Sequence, residues 1–243
     1  MAIQAKKQSP WLVLLLIAAS VVIWAVDQRG GGNGSSRKSD TSRTATERSS
    51  ATPNTADPTN PRDPRQKIEK QGGYEVYRGC TLVADKNNDG DSFMVRLPDG
   101  REAIVRLYYV DSPESAFKTY RGGADNHDRI NEQAKAFLNT PEKIVEVGKQ
   151  AKAFTLDLLR NAPFTIYTNW DSPFNDQRYH AFVQVTSGGK PQWLHEELLR
   201  NGLARFKTKP APLPDGTSVD EHRRTLEIAH RQAIRGKLGG WNR

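Results

Sequence analysis

The chain has 243 residues, of which 36 are Lys or Arg and 28 are Asp or Glu, for a formal net charge of +8. This length is enough for one or two domains with a sizeable core. The first 70 residues carry 11 basic and 6 acidic side chains, a net of +5, so the bulk charge is weak evidence for a nucleic-acid partner. The single cysteine, Cys80, excludes an intramolecular disulfide, and a cysteine-based zinc site is not expected.

A hydrophobic segment near the N-terminus predicts a membrane anchor. Residues Trp11 to Val26 are all apolar or small, and Lys6 and Lys7 precede them. The segment is long for a signal-peptide core, and Trp24 stands near its outer end like an interfacial aromatic residue. We therefore favour a transmembrane signal-anchor within residues 1–28. A cleaved signal peptide, which would give a secreted protein, is the alternative. Lysines that precede a first membrane helix stay in the cytoplasm, so we expect the rest of the chain in the periplasm or outside the cell.

Residues 29–70 predict a disordered linker. They are rich in Ser, Thr, Gly and Pro, and up to residue 67 they contain no large aliphatic or aromatic side chain. Such a segment cannot bury enough apolar surface to offset the entropy of ordering it. About 40 residues of flexible chain span roughly 35 Å, so the globular domain at residues 71–243 can stand clear of a bilayer.

The globular part begins with strand-like runs that are rich in β-branched and aromatic residues. The turn sequence at residues 97–100 predicts that the second and third runs form a hairpin. Cys80 lies in the first run and is expected to be a small buried strand residue. The five predicted strands are 75–83, 91–97, 103–110, 164–170 and 179–186.

Three helices are predicted from apolar periodicity and capping signals. The first covers about residues 147–161 and the second about 193–201. The third begins at Ser218, which matches a capping box, and continues to Gly236. Five short strands with intervening and trailing helices indicate an α+β domain, for which a small five-stranded barrel is one natural closure.

Two polar clusters stand at strand ends where a hairpin would bring them together. Asp91 lies at the start of the second predicted strand, and Asp111 at the end of the third. Glu114 follows on a turn, where we expect its side chain to pack against little. Three carboxylates at one rim repel each other unless a cation lies between them, and their hard oxygens suit Ca²⁺ or Mg²⁺. The guanidinium of nearby Arg106 has the fork geometry that suits a phosphate.

The sequence offers no support for two other kinds of metal site. Residues 85–90 are similar to the opening of an EF-hand loop, but the twelfth position would be Arg96 where a bidentate Glu is required. The flanking segments are also predicted as strands, so we reject an EF-hand. The five histidines are scattered without an H-x-x-x-H pair, so the sequence predicts no transition-metal site.

Taken together, the motifs resemble those of the staphylococcal nuclease (thermonuclease) family. The sequences D-G-D-S at 89–92 and R-L-Y-Y-V-D-S-P-E at 106–114 are similar to its two signature segments. Residues 178–183 are similar to the family's second-arginine strand, and 198–204 to its helix-to-loop segment. The resemblance covers about residues 75–243, with strands and helices in the same order.

The resemblance implies a five-stranded OB-fold β-barrel with three helices and a Ca²⁺-dependent nuclease that hydrolyses DNA and/or RNA. It implies that Ca²⁺ is held by Asp91, Asp111 and the backbone carbonyl of Ser112. Glu114 would reach the metal or its water, either as a general base or as a group that orients the water. These two roles of Glu114 stay open at this point.

The resemblance also implies that Arg106 and Arg178 clamp the scissile phosphate and stabilise the charge of the transition state. Residues 175–177 and 207–209 depart from the family pattern, because they lack aromatic residues that family members have there. The connection at 115–146 is longer than the family core needs, and it is expected to be either a structured functional loop or disordered.

Two alternatives remain open from the sequence. One is a catalytically inactive OB-fold module that only binds nucleic acid, although this chain keeps the carboxylates on which catalysis would depend. The other is an exported interaction domain with no nucleic-acid role. No obligate protein partner is predicted.

Overall fold

The computed structural model describes residues 68–173 and 176–242. The predicted signal-anchor and nearly all of the predicted linker lie outside the described residues. Within the described ranges, no helix is both long and apolar enough to cross a membrane.

Strands form most of the scaffold. Their residues alternate between buried apolar and more exposed positions, which is the pattern that a sheet with one face toward a core requires. The described part of the chain contains nine strands: β1 Glu69–Gln71, β2 Tyr74–Leu82, β3 Ser92–Arg96, β4 Glu102–Leu107, β5 Val110–Asp111, β6 Phe164–Thr168, β7 Arg178–Ser187, β8 Lys190–Trp193 and β9 Arg205–Phe206.

Five of these strands close into a barrel in the order β2–β3–β4–β7–β6, and β6 pairs back with β2. The β4–β7 pair is parallel, and the other four pairs are antiparallel. This closed five-stranded barrel is consistent with an OB-like fold. Its strands are the five that the sequence predicts, including the β3–β4 hairpin. Cys80 in β2 is fully buried and free, as expected.

Helices cover the barrel on the outside, and their number differs from the prediction. Three were predicted, whereas the described residues form four α-helices and one short 3₁₀ helix at Gly239–Trp241. The prediction of three is therefore wrong. The additional helix lies in the long connection at 115–146. The four α-helices are α1 His127–Phe137, α2 Pro141–Asn161, α3 Leu194–Arg200 and α4 Val219–Arg235.

The additional helix α1 is held by a small apolar core of its own. Phe137 is fully buried and packs against Trp241 in a tilted arrangement, with ring centroids 4.7 Å apart. Ala134 of α1, Ile144 of α2 and Ala233 of α4 complete this core. The connection therefore buries enough apolar surface to be ordered, and α1 is fixed beside the barrel.

Helix α2 lies close against the turn that carries Glu114. It begins six residues before its predicted start, because Thr140 caps Lys143 and Pro141 occupies the first turn. Gly148 faces the turn, and a Cβ there would lie 2.2 Å from the carbonyl oxygen of Glu114. The absence of a side chain at this position is what allows the turn to approach the helix.

Candidate active site at the barrel rim

The loop before β3 is held in place by side chains that bond to its backbone. The buried amide of Asn88 donates to the Val83 carbonyl and accepts from Met94 N, both at 2.8 Å. From α2, the Thr155 hydroxyl donates to the Gly90 carbonyl at 2.8 Å. The flanking strands β2 and β3 agree with the rejection of an EF-hand. The loop instead fixes the start of β3 at the barrel rim.

The β3–β4 hairpin sets Asp91 beside Arg106. Ser92 pairs with Arg106 in the ladder, and Leu107 N donates to the Asp91 carbonyl at 2.9 Å. The Arg106 Nη2 atom lies 3.5 Å from Asp91 Oδ2, and both side chains are buried. Strand pairing alone therefore places a carboxylate and a guanidinium together at the rim.

Asp111 reaches the same rim through an unusual backbone turn. Strand β4 ends at Leu107, and Tyr109 then adopts a left-handed conformation with φ of 69°, which is uncommon for a residue with a side chain. The Tyr109 hydroxyl donates to the Ala211 carbonyl at 2.5 Å, and its ring is buried. These contacts hold the turn, and Asp111 then pairs with Arg205 in the β5–β9 ladder.

Two predicted ligands are joined directly. Ser112 N donates to Asp91 Oδ2 at 2.9 Å, and Arg106 Nη2 donates to Asp111 Oδ1 at 3.2 Å. The structure therefore brings Asp91, Asp111 and Ser112 together beside Arg106. Their role as metal ligands stays a prediction.

Glu114 makes more contacts than its sequence context indicated. Its Oε1 lies 2.7 Å from Arg129 Nε, and Asn126 Nδ2 donates to its Oε2 at 3.2 Å. Its backbone N donates to Gln133 Oε1 at 3.0 Å. The expectation that its side chain packs against little is wrong, because helix α1 and the residue before it supply these partners.

Three residues at the site were missed by sequence reasoning. Arg129 Nη2 donates to Asp111 Oδ1 at 2.7 Å, and Arg205 Nε donates to Asp111 Oδ2 at 2.9 Å. Gln133 Nε2 donates to the Ser112 carbonyl at 3.1 Å and lies 3.3 Å from Asp111 Oδ2. Asp111 therefore accepts hydrogen bonds from three separate parts of the chain, namely β4, α1 and β9.

The carboxylates at the rim differ in how their charge is compensated. Burial, together with the repulsion of Asp91, raises the pKa of Asp89 to about 7. Burial also raises the pKa of Asp91, despite the attraction of Arg106. Burial would likewise raise the pKa of Asp111, but Arg129 and Arg205 more than offset it, and that pKa is lowered. Asp89 and Asp91 thus have too little positive charge nearby to compensate their carboxylates, whereas Asp111 has enough.

Buried polar atoms at the rim also lack partners. The hydroxyl oxygens of Ser92 and Ser112 and the Nε atom of Arg106 are buried without a hydrogen-bond partner among the described residues. A buried polar group without a partner costs about 1–3 kcal/mol. Several such atoms at one rim are the pattern expected of a site that receives a polar ligand.

Arg178 stands apart from the carboxylates. It opens β7 opposite Ile104 of β4, while Arg106 lies opposite His180. Residues two apart on a strand share a face, so Arg106 and Arg178 lie on the same side of the parallel ladder. The Arg178 guanidinium bonds to Asp176, with Nη2 2.5 Å and Nε 2.8 Å from Oδ2. The structure therefore places Arg178 on the same face as Arg106, and its described ion pair is with Asp176.

A second group of possible metal ligands lies away from the rim. His195 of α3 and His222 of α4 are buried, and ligand atoms of these two residues and Glu196 lie within 4.8 Å of one another. This group could hold a metal, although nothing in it identifies Ca²⁺, and its nitrogen donors suit transition metals better. Sequence reasoning missed it, because the histidines lie on different helices and show no motif spacing.

Contacts between the two histidines account for the group without an ion. Their Nε2 atoms lie 2.7 Å apart, so one ring donates to the other. Burial lowers the pKa of His222 to about 4 and lowers that of His195 well below its usual value. Both rings are therefore neutral at pH 7, and His195 stacks on Tyr109 with ring centroids 5.8 Å apart. The pair supports the turn that leads to Asp111.

Comparison with known proteins leaves the family open. Neither the protein-family models nor the curated proteins give a match to this chain. The resemblance to the staphylococcal nuclease family stays a prediction.

Proposed function

We propose that the protein is a Ca²⁺-dependent nuclease that hydrolyses phosphodiester bonds of DNA and/or RNA. The single observation that carries the proposal is the meeting of Asp91, Asp111, the Ser112 carbonyl and Glu114 at one barrel rim beside the buried guanidinium of Arg106. Carboxylates and a carbonyl are the ligands that Ca²⁺ prefers, and a guanidinium fork is the group that best matches a phosphate.

The residues at the rim fit a hard divalent cation. The donors are all oxygens, the pKa of Asp91 is raised by burial, and two buried serine hydroxyls lack partners. A buried carboxylate with too little compensating charge is stabilised by a cation. Asp91, Asp111 and the Ser112 carbonyl would hold Ca²⁺, which would neutralise phosphate charge and supply an activated water molecule.

Arg106 is suited to bind the phosphate and to stabilise its transition state. Its side chain is only 7% exposed, and ion pairs with Asp91 and Asp111 fix its orientation. A guanidinium held in this way needs no reorganisation when negative charge develops on a phosphate oxygen. Its buried Nε has no hydrogen-bond partner among the described residues, so the protein alone does not fully satisfy this guanidinium.

Glu114 is suited to handle the proton of the attacking water. Its carboxylate is 15% exposed, so it stands at the boundary between the buried cluster and solvent. Asn126 and Arg129 hold both of its oxygens. A carboxylate oriented in this way can accept a proton or orient a water molecule, and a positioned base contributes about 10²–10⁴-fold to a rate.

Arg178 would add a second guanidinium to the phosphate from the neighbouring strand. It is 36% exposed and paired with Asp176 in a solvent-accessible position. The ion pair is half-buried, with Asp176 at 28% exposure, so a phosphate arriving from solvent can reach the guanidinium in competition with Asp176.

Exposed aromatic residues near the rim favour a nucleic-acid substrate. Phe117 is 45% exposed and Tyr120 is 50% exposed, with the exposed Lys118 and Arg121 in the same loop. Asn126 ties this loop to the site, because it bonds to both Glu114 and the backbone of Lys118. Aromatic faces with nearby cations are the surface on which unpaired bases stack.

A nuclease assay tests the proposal. The full chain, purified in detergent, should cleave plasmid DNA or RNA when CaCl₂ is added and should stop when a chelator is added. Full activity in excess chelator would refute the metal assignment. Tight binding of nucleic acid without cleavage would instead support the alternative of an inactive OB-fold nucleic-acid-binding module.

We also propose that the domain is tethered to the cell membrane and faces away from the cytoplasm. The basis is the sequence of residues 1–28, with lysines ahead of the hydrophobic segment. Protease added to spheroplasts should release a soluble fragment that begins within residues 30–70. Protection until lysis would refute this orientation, and release without protease would indicate a cleaved signal peptide and a secreted protein.

A further inference from the structure

Three guanidinium groups surround Asp111, and they differ in how freely they can move. The side chains of Arg106 and Arg205 are 7% and 9% exposed, and both project from strands of the scaffold. The Arg129 side chain is 40% exposed and projects from helix α1. Rotation of its side chain alone can therefore take Arg129 away from Asp111, whereas the other two are enclosed.

Arg129 bridges two of the carboxylates that are predicted to serve a metal ion. Its Nη2 lies 2.7 Å from Asp111 Oδ1, and its Nε lies 2.7 Å from Glu114 Oε1. A divalent cation bound at these two carboxylates would compete with Arg129 for their oxygen atoms. The charge of Arg129 also repels any cation that approaches them.

Helix α1 does not depend on the Arg129 contacts for its place. Phe137 and Ala134 anchor it in the small core, and Gln133 bonds to the Ser112 carbonyl and to Glu114 N. The helix can therefore stay where it is while Arg129 changes partners. This distinguishes a displaceable counter-ion from a structural ion pair.

We propose that Arg129 is an internal counter-ion of the metal-free site, which a divalent cation displaces from Asp111 and Glu114 when it binds. Arg129 stabilises the clustered carboxylates in the metal-free protein, and its displacement weakens the affinity for the cation. This inference rests on the proposed function, since it requires that the rim carboxylates bind Ca²⁺. It assigns to α1, which the sequence left as an open connection, the role of setting the metal affinity.

Isothermal titration calorimetry with CaCl₂ on the full chain in detergent tests this role. Arg129→Gln should bind Ca²⁺ about fivefold or more tightly than the parent, since it removes a competing charge. Its melting temperature without metal should fall, and the rise on adding Ca²⁺ should exceed that of the parent. The matched control is Lys135→Gln, which removes the same charge from an exposed position of the same helix and should leave both quantities unchanged.

Each outcome supports or overturns the counter-ion role. Equal or weaker Ca²⁺ binding by Arg129→Gln, with normal binding by the parent, overturns it and leaves the proposed nuclease function standing. An equal gain in Lys135→Gln overturns it too, because the effect would then reflect net charge alone. Ca²⁺ binding by neither protein refutes the metal assignment and the inference together. If Arg129→Gln fails to fold, Arg129→Ala also removes the charge and has a higher helix propensity, so it should bind Ca²⁺ more tightly than the parent. Equal or weaker binding by that variant overturns the role in the same way.

Discussion

The carboxylate rim and the His195–His222 pair are both buried clusters of titratable groups, yet they reach opposite electrostatic states. At the rim, Asp111 stays ionised because guanidiniums surround it and lower its pKa. In the pair, burial lowers the pKa of His222 to about 4, and each ring is neutral and bonds to the other. The rim is therefore a charged site with several unpartnered polar atoms, whereas the pair is neutral and makes its own central hydrogen bond, with only the Nδ1 atom of His195 lacking a partner among the described residues.

Tyr109 connects these two regions. Its ring contacts both histidines, with centroid distances of 5.8 Å to His195 and 5.1 Å to His222. Its left-handed backbone leads directly into the strand that carries Asp111. A buried polar cluster is a candidate site when its charges need a ligand, and a structural support when its members bond to each other.

The largest expected effect is on stability, and it comes from neutralising Asp111. Asp111→Asn removes the charge that compensates Arg106, Arg129 and Arg205, and two of these guanidiniums are buried. Breaking a buried ion pair by removing one partner costs about 3–5 kcal/mol, so the free energy of unfolding should fall by that amount in urea titrations.

A matched control exists on helix α2. Asp157 pairs with Arg160 at 3.5 Å, and the two side chains are 72% and 60% exposed. Asp157→Asn should change the free energy of unfolding by less than about 1 kcal/mol. Similar effects of the two substitutions would remove the distinction between a charged rim and an ordinary surface.

The next effect concerns turnover. Glu114→Gln keeps the shape of the side chain but removes the base, so the rate of DNA cleavage should fall by about 10²-fold or more. Arg106→Lys keeps the charge but loses the fork, and it should also lower turnover strongly. The exposed Glu146, which pairs with Lys149 in α2, supplies the control substitution Glu146→Gln.

Melting curves must accompany these rates. Glu114 contacts Arg129 and Asn126, so we expect Glu114→Gln to lower stability by about 1 kcal/mol while the domain stays folded. Turnover within a few-fold of the parent would show that Glu114 is not the base, although the protein would still be a nuclease.

The barrel was predictable because its strands carry strong local signals. Each of the five runs is rich in β-branched and aromatic residues, and the turn at 97–100 fixes the hairpin that brings Asp91 beside Arg106. Strand β4 ends earlier than predicted, because the positive φ of Tyr109 interrupts a run that still looks strand-like. Propensity could not reveal this turn, which depends on tertiary contacts to the ring.

Helix α1 left a sequence signal that the prediction did not use. Ile130, Ala134 and Phe137 recur at helical spacing and are buried, and the same face extends to Gln133. The pattern is short and follows a polar loop, so the sequence of this connection is equally consistent with a disordered segment. The meeting of His195 with His222 had no comparable signal, because it depends on how α3 packs against α4.

A smaller effect is expected in how the free energy of unfolding depends on pH, and it comes from the His195–His222 pair. The pKa of His222 falls from 6.5 to about 4 on folding, mainly because of burial, so the unfolded chain takes up a proton first as the pH decreases. Its contribution to stability is complete above pH 6.5, declines between pH 6.5 and 4, and levels off below pH 4.

The unfolding free energy should therefore fall by about 2 kcal/mol between pH 6.5 and pH 5 through His222 alone. His222→Gln keeps a hydrogen-bonding side chain but cannot titrate, so its difference from the parent should shrink over this range. The raised pKa of Asp89 acts in the opposite direction, but it is present in both proteins and cancels in the comparison. A constant difference would mean that the pair is not neutral in the folded state.

The smallest expected effect is on oligonucleotide binding, and it compares the loop beside the rim with helix α4, which carries His222. If bases stack on the loop beside the rim, Phe117→Ser or Tyr120→Ser should weaken binding of a single-stranded oligonucleotide by about 1 kcal/mol each, near the lower limit for one stacked base. Ile228→Ser is the matched control, because Ile228 is 51% exposed on α4, the helix that carries His222. Fluorescence anisotropy with chelator present measures binding without cleavage.

An equal loss in all three variants would mean that exposed apolar surface in general binds the oligonucleotide. Unchanged binding in the two aromatic variants, with cleavage intact, would place the substrate on another part of the rim, where Arg106 and Arg178 share one face of the β4–β7 ladder.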